Sequence, residues 1–142
     1  MLMQSTEKKI ASLIFIVVGI LLIVTNLVMA SSNLEFIQKG VVTEGVVIHT
    51  KYGRFHPVIR FNTANSEMIT YTQGGFNKGY RLHDTMSVLY DPNHPNNACI
   101  NSFGSLWGGY IAVLMIGVLF VVTGVIKLLY PNTRWLYFNF EK

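Results

Sequence analysis

Two long tracts without a charged residue constrain the fold of this chain more than any other feature. Residues 10–30 and 93–126 contain no Asp, Glu, Lys or Arg, in a chain of only 142 residues. As a helix, roughly 20 apolar residues span the hydrocarbon core of a bilayer. Charged residues make up 13% of the chain, whereas soluble domains carry about 25%. The tracts predict two transmembrane helices, over residues 10–30 and 107–130, the second bounded by Trp107 and Tyr130 as in aromatic belts.

The first tract has a second interpretation, a cleaved signal peptide. Lys8 and Lys9 would form its basic region, and residues 28–30 followed by Ser31 resemble a small-residue cleavage site. The apolar stretch is longer than the 7–15 residues typical of such peptides, which favours a retained membrane anchor.

Small and polar residues recur every seven positions in both tracts. A spacing of seven places residues on one helix face, where small side chains allow two membrane helices to approach closely. The spacing therefore predicts helix packing, although chance and an interfacial Asn would also explain the first set. The predicted packing residues are Ser12, Gly19, Asn26, Gly117 and Gly124.

The basic residues predict the orientation. Of the eleven Lys and Arg residues, five flank the two tracts on their outer sides, at Lys8, Lys9, Lys127, Arg134 and Lys142. Basic residues close to membrane helices favour the cytoplasmic side. We therefore expect a two-pass protein of the bacterial inner (plasma) membrane, with residues 1–9 and the aromatic tail 131–142 cytoplasmic and residues 31–106 extracytoplasmic. The formal charge of +4 forms no run or stripe, so no nucleic-acid binding is predicted.

The segment between the tracts reads as a small β domain. Alternating apolar and polar residues, separated by turn residues, predict five strands. The fold class expected is membrane α+β: a helical hairpin flanking a five-stranded antiparallel, barrel-like β domain, with Gly45 marking a bulge or bend in the first strand. The strands are predicted at 41–50, 56–63, 67–72, 86–90 and 98–101.

Three motifs resemble a bacterial domain-of-unknown-function family of small two-span membrane proteins. They are E-G-V-V at residues 44–47, P-V-I-R-F at 57–61 and S-V-L-Y-D-P-N-H-P at 87–95, the last matching the pattern V-x-V-x-Y-D-P-x-x-P. The chain departs from the family at His83, where glycine is usual, and at Met86, where the first Val is usual. The resemblance implies membrane location and a β-rich domain, and it implies no activity.

No pattern of catalytic or ligand-binding residues emerges. The four histidines lie between the two predicted membrane helices without metal-ligand spacing, and no hydrolase or phosphate-binding motif is present. The single Cys99 allows no internal disulfide. The chain is therefore predicted to be non-enzymatic, with no cofactor and no metal.

Two loops of the β domain combine aromatic and basic residues, the types enriched at protein interfaces. They predict a partner-binding surface formed by Tyr52, Arg54, Phe55, Phe76, Lys78, Tyr80 and Arg81. The function expected is a membrane-anchored extracytoplasmic binding or accessory module whose partners are the lipid bilayer and another protein. A toxin-immunity protein is one form of it. The alternative is a subunit of a membrane transporter or envelope-assembly complex, and the oligomeric state is left open.

Overall fold

The computed structural model describes residues 2–50, 53–75 and 78–130, with side chains from Glu7 onward. Tyr52, Phe76 and the aromatic tail 131–142 therefore lie outside the described residues. Two long helices flank five strands, and the chain divides into two compact units, described in turn. The elements are α1 (Leu2–Lys39), β1 (Val41–His49), β2 (Val58–Asn62), β3 (Met68–Thr72), β4 (Thr85–Tyr90), β5 (Ala98–Ile100) and α2 (Phe103–Leu129).

The first unit pairs the N-terminal part of α1, up to Val28, with the part of α2 that begins at Ala112. Both helices are long and apolar enough to cross a bilayer by length and composition. Their outer faces are apolar and largely uncovered, as at Leu21 and Leu119, whose accessible fractions are 65% and 61%.

Glycines bring these two helices together. A Cβ added to Gly19 would lie 2.8 Å from the carbonyl oxygen of Gly117, and one on Gly124 would lie 2.9 Å from that of Ser12. A Cβ on Gly117 would lie 2.8 Å from Ile23 Cγ1. No real Cβ sits this close to a heavy atom, so the backbones meet at a distance that only glycine permits.

Two polar side chains are buried in the same unit. Ser12 is 1% accessible and its hydroxyl donates to the carbonyl of Lys8 at 2.9 Å, while Asn26 is 6% accessible. The five residues predicted for helix packing thus all lie at buried positions of this unit. Near one end, the Lys127 ammonium lies 5.0 Å from the centre of the Phe15 ring, a cation–π distance.

The second unit, Met29–Ile111, contains the sheet. All four strand pairs are antiparallel and the spatial order is β3-β2-β1-β4-β5. The sheet curls into a half-barrel, which confirms the predicted five-stranded, barrel-like fold. A tight hairpin joins β2 to β3, where the N–H of Thr63 donates to the carbonyl of Glu67 at 2.9 Å.

The concave face of the half-barrel is filled by its own side chains. Val47, Ile59 and Val88, from the three central strands, have no accessible surface. Along β2 and β3, buried residues alternate with more exposed ones at the period of two that a sheet covered on one face requires, whereas β4 ends in three consecutive buried residues, Val88–Tyr90. Other members of the core are Phe61, Ile69, Tyr80, Tyr90 and Ile100.

Gly45 does not form the bulge that the sequence predicts. It pairs regularly with Phe61 and Met86, and the register shift between β1 and β2 lies later, between Val47 and His49. A Cβ at Gly45 would lie 2.6 Å from Val88 Cγ2 and 2.8 Å from Ile59 Cγ2. The glycine is required because side chains from both neighbouring strands converge above it.

One buried side chain joins β5 to the end of β3 across the open side of the half-barrel. Gln73 is 5% accessible, and its Oε1 accepts from the backbone N–H of Ile100 at 2.8 Å and from the Tyr71 hydroxyl at 3.1 Å. Its Nε2 donates to the carbonyl of Gly74 at 2.7 Å and lies 3.6 Å from Cys99 Sγ. We call this set of contacts the Gln73 bridge.

Candidate partner-binding surface

The predicted contact residues belong to two loops that the sheet topology brings to one end. Chain direction alternates in an antiparallel sheet, so β1 ends where β2 begins, and β3 ends where β4 begins. Both connections, residues 50–57 and 73–84, therefore lie at the end of the sheet opposite the start of β1, which directly follows α1.

The described part of the first loop is a turn that displays its side chains. The Gly53 N–H donates to the carbonyl of Thr50 at 2.9 Å, and the His56 N–H donates to that of Gly53 at 3.2 Å. These bonds fix the backbone and leave Arg54 and Phe55 exposed, Phe55 with 60% of its surface accessible. An apolar ring held this far out of the core is a feature of contact surfaces.

The second loop is joined to the first through the backbone. The N–H of Tyr80 donates to the carbonyl of Arg54 at 2.8 Å. Gly79 lies beside the same residues, since a Cβ placed on it would sit 3.6 Å from Arg54 Cβ and 3.9 Å from Phe55 Cε1. The two loops thus form one continuous surface.

Tyr80 contradicts the expectation that it is exposed. Only 5% of its surface is accessible and its ring belongs to the core of the half-barrel. Burial, and then the charge of Asp84, raise the pKa of its hydroxyl. The Lys78 ammonium lies 5.4 Å from the centre of the ring, at the loop surface. Tyr80 anchors the loop, and the exposed contact residues around it are basic.

A tight turn at the end of the second loop holds Arg81. The carboxylate of Asp84 accepts from the N–H of Arg81 at 2.7 Å, and the N–H of His83 donates to the carbonyl of Val47 at 2.9 Å. His83 has a φ of +68°, in the left-handed region that favours glycine. The turn fixes the backbone of Arg81 while its side chain stays exposed.

The electrostatic character of this end is positive. Four exposed residues, which we call the basic loop surface, are Arg54, Phe55, Lys78 and Arg81. Asp84 is the one acid of the two loops in the described chain, and its carboxylate already accepts a backbone hydrogen bond. Clustered positive charge of this kind attracts acidic partners and speeds their association.

The histidines do not converge on a site. His56 and His83 are exposed at the loop end, whereas His94 lies in the β4–β5 turn, its Nδ1 3.3 Å from Asp91 Oδ2. Among the described residues, no group of three His, Cys, Asp or Glu could hold a metal ion. Asp91 Oδ1 accepts from the N–H of Asn93 at 2.9 Å, and chiefly this bond lowers the pKa of the carboxyl.

Two features were not predicted from the sequence, the Gln73 bridge and the edge of β4 that the shorter β5 leaves uncovered. Gln73 stands at the start of a glycine-containing loop, where no periodicity distinguishes an inward from an outward side chain. Its neighbour Cys99 is half-buried, and burial raises the pKa of its thiol.

Comparison with known proteins gives one informative similarity. The chain is 33% identical over 91 residues to the immune protein Tsi4 of Pseudomonas aeruginosa. The aligned part covers 63% of this chain and 63% of that relative, so the match spans somewhat less than two thirds of either protein. No protein-family model matches the chain, and no solved structure matches it.

Proposed function

We propose that this chain is a toxin-immunity protein of the bacterial inner membrane. In this proposal the two apolar helices anchor it, and the β domain faces the extracytoplasmic side, where it binds a toxin and neutralises it. The observation that carries the proposal is the similarity to an immune protein, at 33% identity over 91 residues. The role is one of binding, and it requires no catalytic group.

The surface that best supports binding is the basic loop surface. It combines an exposed aromatic ring at Phe55 with the cationic groups of Arg54, Lys78 and Arg81. Aromatic and Arg side chains dominate the energetics of protein interfaces, and complementary charge raises association rates by orders of magnitude at low salt. A toxin with an acidic surface fits this arrangement, because an immunity protein must capture its target before damage occurs.

The two long apolar helices support membrane anchoring. Each is long enough to cross a bilayer, and apolar side chains cover its outer face. Exposing this surface to water would cost about 25 cal/mol per Å². The position of the basic residues outside the apolar tracts then favours an arrangement with both termini in the cytoplasm.

The test of the function is a competition between bacteria. A strain lacking this chain is grown in contact with its parent and carries a plasmid with the wild type, with R54E/K78E/R81E, or with R60E. Arg60 is an exposed arginine of β2 outside the loop surface, so it is the matched control for a charge reversal.

We expect the wild type and R60E to restore survival, and the triple reversal to lose it at equal abundance in the membrane. If the strain without the chain survives as well as its parent, the immunity function is refuted. Equal protection by the triple reversal would move the binding site away from the basic loop surface.

Orientation is tested separately. A cysteine placed at Lys78 in a C99S background should react with a membrane-impermeant maleimide on intact spheroplasts. Because Cys99 is the single cysteine of the chain, this background has no other thiol. Reaction only after lysis would place the β domain in the cytoplasm and overturn the extracytoplasmic assignment.

A further inference from the structure

The edge of β4 is left open over its first residues. β5 has three residues and pairs with β4 only from Val88 to Tyr90. One more bond follows, from the N–H of Asn101 to the carbonyl of Ser87 at 2.8 Å, and the chain then leaves the sheet. The next helix begins here, with the Ser102 hydroxyl accepting from the N–H of Ser105 at 3.3 Å as an N-cap.

The backbone N–H and C=O of Thr85 are therefore not hydrogen-bonded to any strand of the described chain on the β5 side. In an antiparallel ladder, alternate residues direct their N–H and C=O to opposite neighbours. The carbonyl of Asp84 accepts from the N–H of Val47 on the β1 side, whereas the carbonyl of Ser87 accepts from the N–H of Asn101 on the β5 side. Thr85 is two residues from Ser87, so its N–H and C=O point to the β5 side, where the described chain supplies no strand.

Grooves lie on both faces of this open edge. One, of about 430 Å³, has an apolar floor that includes Met86 and Ile100, and a polar rim that includes Lys78 and Asn101. The other, of about 340 Å³, is lined by Thr85, Ser87 and their neighbours, including Glu44 on β1. An added strand would place alternate side chains into the two grooves, because its side chains alternate between faces.

The charges of the grooves select the occupant. Lys78 borders one groove and Glu44 the other, so a strand with acidic side chains on one face and basic or polar ones on the other is complementary to both. A second copy of this chain fits poorly, since residues 85–87 of its own β4 edge carry no acidic side chain that could face Lys78.

We propose that the open edge of β4 at Thr85–Ser87 binds an extended segment of the protein partner by strand addition, with an acidic side chain of that segment facing Lys78. Main-chain hydrogen bonds to Thr85 would supply affinity and the two grooves would supply specificity. The inference rests on the proposed function in its assumption of a protein partner, and it assigns the site and the chemistry of the bound segment.

The test places a photoreactive amino acid at Ser87 in the full-length chain, in cells of its own species, and at Met68 in β3 as a control on the other edge of the sheet. After irradiation, the adducts are mapped by mass spectrometry. We expect adducts from Ser87 to alternating residues of one contiguous protein segment that carries acidic residues. Adducts to lipid only, to a second copy only, or in equal yield from Met68 would overturn strand addition.

Two backbone variants test the hydrogen bonds. T85P removes the outward N–H at the first residue of β4, where proline is tolerated, and should lower the adduct yield from Ser87 about tenfold, as expected for one lost hydrogen bond. T70P is the matched control. The N–H of Gln73 donates to the carbonyl of Pro57, so Gln73 faces β2. Thr70 lies three residues earlier, so its N–H points away from β2, just as the N–H of Thr85 points away from β1. Equal yields in T85P and T70P would refute the inference.

A third variant covers the case in which T85P fails to fold, which a fall in membrane abundance would reveal. K78E changes an exposed side chain and should also lower the adduct yield, and an unchanged yield would exclude the acidic segment. The outcomes separate the two proposals. Protection by the wild type without alternating adducts refutes strand addition alone, and alternating adducts without protection refute the immunity function alone.

Discussion

The Gln73 bridge makes a quantitative prediction about how the half-barrel stays closed. In Q73M the side chain keeps its length and loses every hydrogen-bonding group. The backbone N–H of Ile100, which is buried, then has no acceptor, because Gln73 Oε1 is its partner at 2.8 Å. Leaving one buried donor unsatisfied costs about 1–3 kcal/mol. The Tyr71 hydroxyl and the Gly74 carbonyl are only part-buried, and water can replace their bonds. We therefore expect a loss of about 2 kcal/mol.

Cys99 reports on this opening. It is the single cysteine of the chain, and its thiol lies 3.6 Å from Gln73 Nε2. Because this thiol is half-buried, a bulky thiol reagent reacts mainly after the half-barrel opens locally, and the labelling rate then follows the equilibrium constant for opening. A loss of about 2 kcal/mol predicts labelling up to about 30-fold faster in Q73M. The bond from Gln73 lowers the pKa of the Cys99 thiol in the closed state, so its loss alone would slow the reaction of the closed state rather than accelerate it.

The control is T72V, which alters an exposed side chain one residue earlier and should change the labelling rate by less than about threefold. All rates are divided by the rate of the same variant in denaturant, which cancels differences in intrinsic reactivity. An unchanged rate in Q73M, or an equal acceleration in T72V, would refute the argument that the buried amide holds β5 against the end of β3.

Three further predictions follow from single contacts. G117A should destabilise the detergent-solubilised protein by about 1–3 kcal/mol because its methyl would meet the backbone of α1, whereas G109A, which meets nothing within 4 Å, should not lower the melting temperature. G45A should destabilise the sheet by a similar amount, about 1–3 kcal/mol, and a thiol in the half-barrel should then be labelled faster. A labelling rate equal to that of the wild type would show that the neighbouring side chains move aside without cost. The hydrogen bond from Asn93 lowers the pKa of Asp91 in the folded protein, so its stabilisation is present above the unfolded pKa of about 3.9 and is lost as pH falls further. D91A should therefore flatten the fall in melting temperature below about pH 4, and an unaltered acid profile would refute this.

The parts of the fold that are local in sequence could be predicted, and the parts that depend on closure could not. The uninterrupted apolar tracts predict helices and the alternation from Val58 to Asn62 predicts a strand, and each of these patterns lies within a single segment. Tyr80 and Gln73 are different, because both stand in a glycine-containing loop without a period. Their inward direction follows from where β3 and β5 come to lie after the sheet curls. That relation joins segments far apart in the chain.

The same distinction explains which of the predicted contact residues are exposed at the loop end. Arg54, Phe55, Lys78 and Arg81 were predicted from residue type alone, and a turn displays such side chains whatever the curvature of the sheet. The open edge at Thr85 could not be predicted, because it exists only where β5 is shorter than β4. Strand lengths at a sheet edge depend on where the chain leaves the sheet, here at the N-cap of α2, and β5 is three residues shorter than β4.

The packing of the half-barrel also directs where recognition can take place. Val47, Ile59 and Val88 fill the concave face and have no accessible surface, and the Gln73 bridge closes the gap between β3 and β5. In the proposed function, the loop end and the strand edge, which adjoin at Lys78, are therefore the sites left for a partner. Positive charge there would guide an acidic partner to the loops, and the backbone of Thr85 would then hold it. If this order is correct, raising the salt concentration should slow association and leave the dissociation rate nearly unchanged, because salt screens the attraction between the charges. T85P should instead raise the dissociation rate and leave the association rate nearly unchanged. If added salt and T85P both changed the same rate constant, the loops and the strand edge would not act at separate steps of one binding event.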